Sequence, residues 1–401
     1  MTALPDLGRP PEIPTEAIAM ATALLETGRL HRYAEAGGSG GLVAELERRF
    51  ARLTRRRYAV AVNSCGSALF LALKAAGVGP GDPVLMNAFT LGPVPGALDH
   101  VGARAVLVEI TEDLVLDMAD LRAKAQASGA RVLMLSHMRG HLCDLEELQR
   151  LCGDLGLALI EDCAHSLGAS WNGRPTGSFG VVGCFSFQSG KHVNTGEGGV
   201  LVTDDDDIAA RAILHSGSYM LHGQNGTVPP DEVMARWQGL CGNYSMRMSE
   251  LVAALALPQL RQVSMRVADW NTSHDRIAAH LRQADGFVLP ERPTAETYAQ
   301  SSLQFRLPAF SDGQMRAYVM AARSAGVWVK WFGISAPEGY SSNPAHWPGA
   351  RAIDVPRACR IQATLCDIRL PLGMTQQDCD AVADVLIAAA EIARKVDHAP
   401  A

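Results

Sequence analysis

Apolar residues in this chain fall into short runs separated by stretches of helical spacing. From Tyr58 the two kinds alternate regularly. YAVAV (Tyr58–Val62) reads as a buried strand and SALFLALKAA (Ser67–Ala76) as a helix. PVLM (Pro83–Met86) is a strand, followed by a loop and helix around Phe89 to Leu98. ARAVLVEI (Ala103–Ile110), RVLML (Arg131–Leu135) and LALIE (Leu157–Glu161) are further strands, with helices over Leu116–Gln126 and Leu145–Leu155. This alternation predicts a mostly parallel sheet covered by helices. Ligands of such sheets sit at the carboxyl ends of the strands.

The flanking segments complete the pattern. Ile13–Glu26 and Leu42–Leu53 have helical spacing, joined by the glycine-rich loop Tyr33–Gly41. That loop lacks the apolar strand and the lysine of a phosphate-binding P-loop. Cys184–Phe187 and Val200–Val202 read as two strands around a turn, followed by a helix over Ile208–Leu214. Asp204–Asp207 supplies that helix start. Ser216–Asp231 is irregular, and Ser249–Arg282 is a long helical stretch with a break expected near Trp270. SSLQFRLP (Ser301–Pro308) and GVWVKWF (Gly326–Phe332) are strands, and Asp378–Ala393 is a closing helix. The expected division is a large domain over 1–250, including an N-terminal segment 1–40, and a linking helix with a smaller α+β domain over 251–401.

With 401 residues the chain can bury two sizeable cores. Its net charge of −6, with both signs interspersed, implies no nucleic-acid or anionic-lipid partner. Nine cysteines, none in a CxxC pair, point to reduced thiols and a cytoplasmic protein. No signal pattern and no apolar run of membrane-spanning length is present.

Candidate chemistry concentrates in CFSFQSGKHVNTGEGGVLVT (Cys184–Thr203). One lysine, Lys191, sits in a glycine-rich turn between apolar strands, flanked by Ser186, Ser189 and Thr195. Burial there disfavours the ammonium form, so the amine becomes a nucleophile of the kind a Schiff-base lysine requires. The plainer reading is a surface lysine on a hairpin tip. Upstream, LALIEDCAHS (Leu157–Ser166) ends a strand in Glu161-Asp162, and only one of two adjacent carboxylates can face a shared site. In NSCGSALFLAL (Asn63–Leu73) a strand passes into a helix whose first turn, with Gly66 and Ser67, favours an anion. His137 and His141 have HxxxH spacing, but Gly140 places them in a loop rather than on one helix face, which argues against zinc.

The run FSFQSGKHVNTGEGG resembles the lysine signature of the DegT/DnrJ/StrS family of pyridoxal-phosphate-dependent sugar aminotransferases, and the upstream segments fit that family in order. The resemblance implies fold type I, an α/β fold whose large domain holds a mixed, mostly parallel seven-stranded sheet between helices. It implies pyridoxal 5'-phosphate as cofactor, attached to Lys191, with Asp162 against the pyridine nitrogen and His165 beside the phenolic oxygen. Gly66, Ser67 and Ser186 would meet the phosphate, although Cys65-Gly66 stands where the family usually has Gly-Thr. Phe89 or Leu91 would pack on the ring; Phe89 is equally readable as core. In GNYSMRMSEL (Gly242–Leu251), Asn243 or Ser245 would reach the phosphate of a neighbouring subunit, at the start of a long apolar helix suited to a homodimer interface with shared sites. Arg369 stands where the family usually has a small residue; its guanidinium suits a carboxylate, and a surface role is the alternative. Trp331, Phe332, Tyr340 and Trp347 suit a sugar-like ligand or the core. The implied reaction moves an amino group from glutamate or glutamine to a keto sugar or keto cyclitol by a ping-pong route. A sugar dehydratase, in which the family's lysine is replaced by histidine, and a non-catalytic cofactor-binding sensor are the rival readings.

Overall fold

The structure, a computed structural model, describes residues 4–33, 40–336, 343–347 and 355–396. Most of the Tyr33–Gly41 loop, and Tyr340 with it, lies outside these residues. The large sheet has seven strands: β1 (Tyr58–Val62), β2 (Pro83–Asn87), β3 (Arg104–Val108), β4 (Val132–Ser136), β5 (Ala158–Asp162), β6 (Val182–Ser186) and β7 (Gly199–Thr203). Their spatial order is β1-β7-β6-β5-β4-β2-β3. Only β7 runs against its neighbours; every other pairing in the sheet is parallel.

Helices α1 (Thr15–Thr27), α2 (Leu42–Thr54), α3 (Cys65–Ala75), α4 (Pro93–Val101), α5 (Met118–Ser128), α6 (Leu145–Leu155), α7 (Asp206–Ser216) and α8 (Asp231–Trp237) accompany this sheet. Side chains alternate across it with period two. Ala59, Ala61, Leu133, Leu135, Leu159, Phe185, Val200 and Val202 enter one core. Val60, Val62, Val132, Met134, Ile160, Val182, Cys184 and Leu201 enter the other, against α3. Polar caps fix where helices begin: Asp205 accepts from Ile208 N at 2.8 Å, and Asp144 from Glu147 N at 2.8 Å.

The expected long helix after residue 249 is two helices, α9 (Glu250–Leu260) and α10 (Val263–Gln283). The break falls at Arg261-Gln262, not at Trp270. Pro258 lies inside α9 and lacks a backbone N–H, so it weakens the last turn. Part of the apolar surface of α9 serves the chain's own core: Ala253, Ala256, Leu257 and Leu260 are buried there, whereas Leu251 and Leu255 are half-buried. Val263 and Val267 of α10 share that core, whereas Trp270, Ile277 and Leu281 belong to a third. The two cores therefore part company within α10, beyond residue 250.

The third core lies under an antiparallel sheet of β8 (Ser302–Arg306), β9 (Lys330–Trp331) and β10 (Leu365–Arg369), ordered β8-β10-β9, with α11 (Asp312–Ser324) and α13 (Gln376–Arg394); α12 (Pro356–Ala363) precedes β10. Trp331, Phe332 and Trp347 are buried core residues, at 6%, 2% and 3% exposure. Among the described residues no helix is long and apolar enough to cross a membrane.

Gly183 on β6 marks a close backbone approach. A Cβ there would fall 2.5 Å from Gly177 Cα and 2.6 Å from Gly177 O. Gly183→Ala should cost about 1–3 kcal/mol or more, as overpacking does. Thermal unfolding should show a lowered midpoint; an unchanged midpoint would mean that the 177 segment yields freely.

Candidate active site

The carboxyl end of β5 separates two adjacent acids. Glu161 lies on the face of Leu159 and is fully buried. It accepts from Gly177 N at 2.9 Å and from Phe179 N and Gly180 N at 2.7 Å, and meets His137 Nε2 at 3.0 Å. Burial pushes its pKa up, but His137 and these N–H groups outweigh that and hold it below the usual carboxylate range. Asp162 lies on the opposite face with Ile160. Its carboxylate accepts from Ser136 Oγ at 2.8 Å and from Ala164 N at 3.1 Å, and Cys65 Sγ stands 4.0 Å away. Ser186, at the end of the neighbouring β6, falls on the Asp162 face by the same alternation, with Val182 and Cys184.

Lys191 follows β6 in a tight loop. Its own N–H donates to Gln188 O at 2.8 Å, and Ser189 N donates to Gly196 O at 3.1 Å. The side chain is half-buried, and Nζ lies 2.6 Å from His165 Nε2. Burial, followed by the Arg369 and Arg139 guanidinium groups, lowers the amine from 10.5 to about 7, against the pull of Asp162. Burial and the neighbouring Lys191 likewise drive His165 well below its ordinary value. Both shifts favour the uncharged forms of the two nitrogens that face each other.

The first turn of α3 lies on the Asp162 side of the sheet. Ser64 caps the helix, accepting from Ser67 N at 3.1 Å, and Ser67 Oγ donates to Asn63 Oδ1 at 2.6 Å. The Ser67 amide, expected to face an anion, is thereby engaged within the chain. Cys65 and Gly66 are the first-turn amides with no acceptor inside the helix. A Cβ on Gly66 would meet only Ser64 Oγ, at 3.7 Å, so the space over this turn is open. Beyond β2, Phe89 is 0% exposed and packs edge-on against Phe332 at 5.1 Å. It presents no surface to an open site, whereas Leu91 is half-buried.

His137 and His141 diverge. His141 Nδ1 faces Arg292 at 3.2 Å, a donor only, so its Nε2 carries the proton and donates to Gln304 Oε1 at 2.8 Å. His137, Glu161 and Cys163 do approach within 4.8 Å of one another. Glu161 is already saturated by hydrogen bonds, and burial raises the Cys163 thiol well above its ordinary value. The trio reads as buried scaffolding beneath the site rather than as a metal centre.

Asn243 and Ser245 are exposed. Asn243 Oδ1 accepts from Ser245 N at 2.9 Å and Ser245 Oγ from Arg247 at 2.8 Å, with Ser245 in the left-handed region at φ 57°. The segment runs beside its own β1–α3 turn, where Asn63 N donates to Met246 O at 3.0 Å. Sequence reasoning missed Ser136, Arg139 and Lys330. Ser136, the last residue of β4, had a signal in its register opposite Asp162. The other two had none locally.

A lysine amine with a lowered pKa, a buried carboxylate and an open helix start are gathered at the carboxyl ends of one doubly covered sheet. Residues 12–387 match the model of the DegT/DnrJ/EryC1/StrS aminotransferase family. The spore coat polysaccharide biosynthesis protein SpsC of Bacillus subtilis is 33% identical over 296 residues, 70% of each chain. A GDP-perosamine synthase of Caulobacter vibrioides is 34% identical over 230 residues, 57% of this chain and 59% of that one. The solved structure of DesI in the presence of its TDP-sugar product superposes with a TM-score of 0.78 at 25% identity, covering 97% of this chain and 94% of that one. The chain belongs to the DegT/DnrJ/EryC1/StrS aminotransferase family. It is an aminotransferase, and its cofactor is pyridoxal phosphate.

In the apoprotein, amine modification of Lys191 should follow a titration centred near pH 7. An unfolded lysine keeps its proton to about pH 10.5, so the unfolded chain binds the extra proton between those values. The apoprotein's stability should therefore rise with pH across that window. A modification midpoint near 10.5 would show that Lys191 is exposed.

Proposed function

We propose that the chain moves an amino group from glutamate or glutamine to a keto sugar or keto cyclitol, in two half-reactions at one site. One observation carries this reading: the Lys191 amine, lowered to about 7, stands 2.6 Å from His165 on the Asp162 side of the sheet. The residues fit the cofactor. Lys191 would hold it covalently, Asp162 would meet the pyridine nitrogen, and His165 would lie beside the phenolic oxygen. Cys65 and Gly66 N–H groups, with Ser186, would take the phosphate over the open turn of α3, and Leu91 would pack the ring by dispersion. Bound there, pyridoxal phosphate supplies an electron sink and carries the amino group between the half-reactions.

Each residue then has a stated task. Asp162, held by Ser136 and the Ala164 N–H, would stabilise a positive charge on the cofactor's ring nitrogen. Lys191, once free, would take the proton from the donor's α-carbon and hold it for return; an amine titrating near 7 suits both directions. His165 orients that amine and exchanges a proton with it. Names of relatives such as GDP-perosamine synthase and 3-amino-5-hydroxybenzoate synthase support an amine-bearing product. The TDP-sugar product of DesI supports a sugar acceptor. Nine free cysteines support a reducing, cytoplasmic setting.

We further propose a homodimer in which Asn243 or Ser245 reaches the partner's phosphate. Both are exposed, and Tyr219, Met220 and Leu240, nearby in sequence, are 56%, 69% and 72% exposed. Apolar exposure of this kind marks contact surfaces.

Borohydride should fix the cofactor to one peptide, the one containing Lys191; label on any other lysine sinks the mechanism. Asp162→Asn should fold yet lose a charge-assisted contact of about 1.5–3 kcal/mol, slowing both half-reactions about tenfold to a hundredfold. Near-wild-type rates would reassign the nitrogen's partner.

The dimer is tested by mixing two crippled variants, Lys191→Ala and the double change Asn243→Ala with Ser245→Ala. If sites are shared, a mixed dimer holds one site with both defects and one with neither. Co-refolding should restore activity. No recovery from proven mixed dimers would place these residues in their own subunit's site, beside Asn63.

A further inference from the structure

The segment after β4 turns at a cost. Met138–Gly140 form a single tight turn, and Arg139 within it has φ 57° and ψ 20°. Gly140 is also left-handed, at φ 81°. Glycine takes that conformation freely, whereas the Cβ of an arginine is strained there. The arginine carries a second cost. It is buried, and its Nε has no acceptor among the described residues. The turn alone would be better served by a second glycine. Strained residues of this kind gather at functional sites, where the side chain itself is wanted.

The turn touches both the site and the small sheet. On the site side it backs His165, the partner of Lys191: a Cβ on Gly140 would fall 3.0 Å from His165 O. Just before it, His137 N donates to Asp162 O at 3.0 Å. On the other side Arg139 Nη2 reaches Asp367 at 2.7 Å, and His141 Nε2 donates to Gln304 Oε1 at 2.8 Å. Gln304 on β8 and Asp367 on β10 are cross-strand partners, and Gln304 Nε2 donates to Asp367 Oδ1 at 2.7 Å. Arg139, Asp367, Gln304 and His141 thus close a buried ring, in which two prongs from one turn grip two joined side chains. Residues two apart on a strand share a face, so Arg369 lies on the face of Asp367 and Gln304. Phe305, Cys366 and Ile368 fill the third core on the opposite face. Gln300, shortly before β8, adds a bond from Nε2 to Arg139 O at 3.2 Å.

We propose that Arg139 is a positioning residue for the reaction: through the ring with Asp367, Gln304 and His141 it locks the small sheet to the turn that backs His165, and so fixes the His165–Lys191 pair and the positive charge beside it. The proposal rests on the reading of Lys191 as the cofactor lysine. Several elements face that amine: β10 with Arg369, this turn with Arg139, β5 with Asp162, α3 with Cys65, and His165 itself. Burial lowers the amine most, then Arg369 and Arg139, with Asp162 opposing. A charge acts steadily on a neighbour only if it cannot swing away, and the ring holds this one at both ends of the turn.

The test separates folding from positioning. Arg139→Gln alone leaves the Asp367 carboxylate buried without its ion pair, which destabilises. The double variant, Arg139→Gln with Asp367→Asn, leaves no buried charge unpaired, and the shorter glutamine gives up the reach to β10. Its thermal midpoint and its holoenzyme absorption are first compared with wild type, to show that it folds. Amine modification of the apoprotein, read at Lys191 by mass spectrometry, should then give a midpoint raised by about half a pH unit or more, because a like charge that opposed the ammonium is gone. In the holoenzyme the half-reaction with saturating glutamate should slow about tenfold or more, with KM changed less, as expected for a displaced reacting group. Arg139→Lys keeps the charge but not the fork, so it should hold the wild-type midpoint and recover only part of the rate. A folded double variant that keeps either the wild-type midpoint or the wild-type rate overturns the proposal. So does a lysine variant that fares no better than the double one. The two readings fail separately. Cofactor fixed by borohydride to another lysine sinks the role of Lys191, while the apoprotein midpoint still decides whether Arg139 sets the state of that amine.

Discussion

A lysine amine lowered from 10.5 to about 7 can exist only where its charge is unwelcome, and much of this structure maintains that condition around Lys191. Burial removes water from the ammonium, and two guanidinium groups add repulsion. Such a group must also be held in place, because a flexible lysine would escape to solvent. Asn194 Nδ2 donates to Pro11 O and Asn194 N to Gln259 Oε1, so the N-terminal segment and α9 both grip the loop. Arg266 of α10 donates to His192 O, and Arg369 of β10 to Gly190 O. Four separate parts of the chain thus converge on the five residues 190–194.

The second constraint is the two-residue period of β-structure, which lets neighbouring residues of like chemistry do unlike work. Glu161 and Asp162 differ only in which side of the sheet they face. One is consumed by backbone donors and secures the 177–180 segment; the other is presented to the site. In the small sheet the same period divides an apolar core face from a charged face against the Lys191 loop.

Much of this was legible in the sequence. All seven large-sheet strands stand out because a sheet covered on both faces is apolar in nearly every residue. The Lys191 turn and the Glu161-Asp162 strand end were readable as candidates from their local setting, but the choice of Asp162 over Glu161 came from the family resemblance rather than from the pattern. β10 was not, because LCDIR carries Asp367 and Arg369 on its site-facing side and so lacks the apolar density of a strand. Arg139 and Lys330 were invisible for another reason: they are nearly two hundred residues apart, and only tertiary packing gives them a common neighbourhood. Phe89 and Leu91 could not be separated, since a loop after a strand has no periodicity to say which side chain turns inward.

Trp270 shows how a local misreading can hide a global role. It was taken for the point where a long helix breaks, yet it is 2% exposed inside α10. Its indole N–H donates to Leu370 O at 2.9 Å, directly after β10. Its ring meets His192 edge-on at 5.0 Å, directly after Lys191. One rigid side chain therefore spans the strand that carries Arg369 and the loop that carries Lys191. It does so from the helix in which the two cores part, where Val267 still belongs to the large domain and Trp270 already to the small one. A guanidinium can tune an amine only if their separation is fixed. Here Trp270 helps fix that separation, together with the direct contact of Arg369 to Gly190 O.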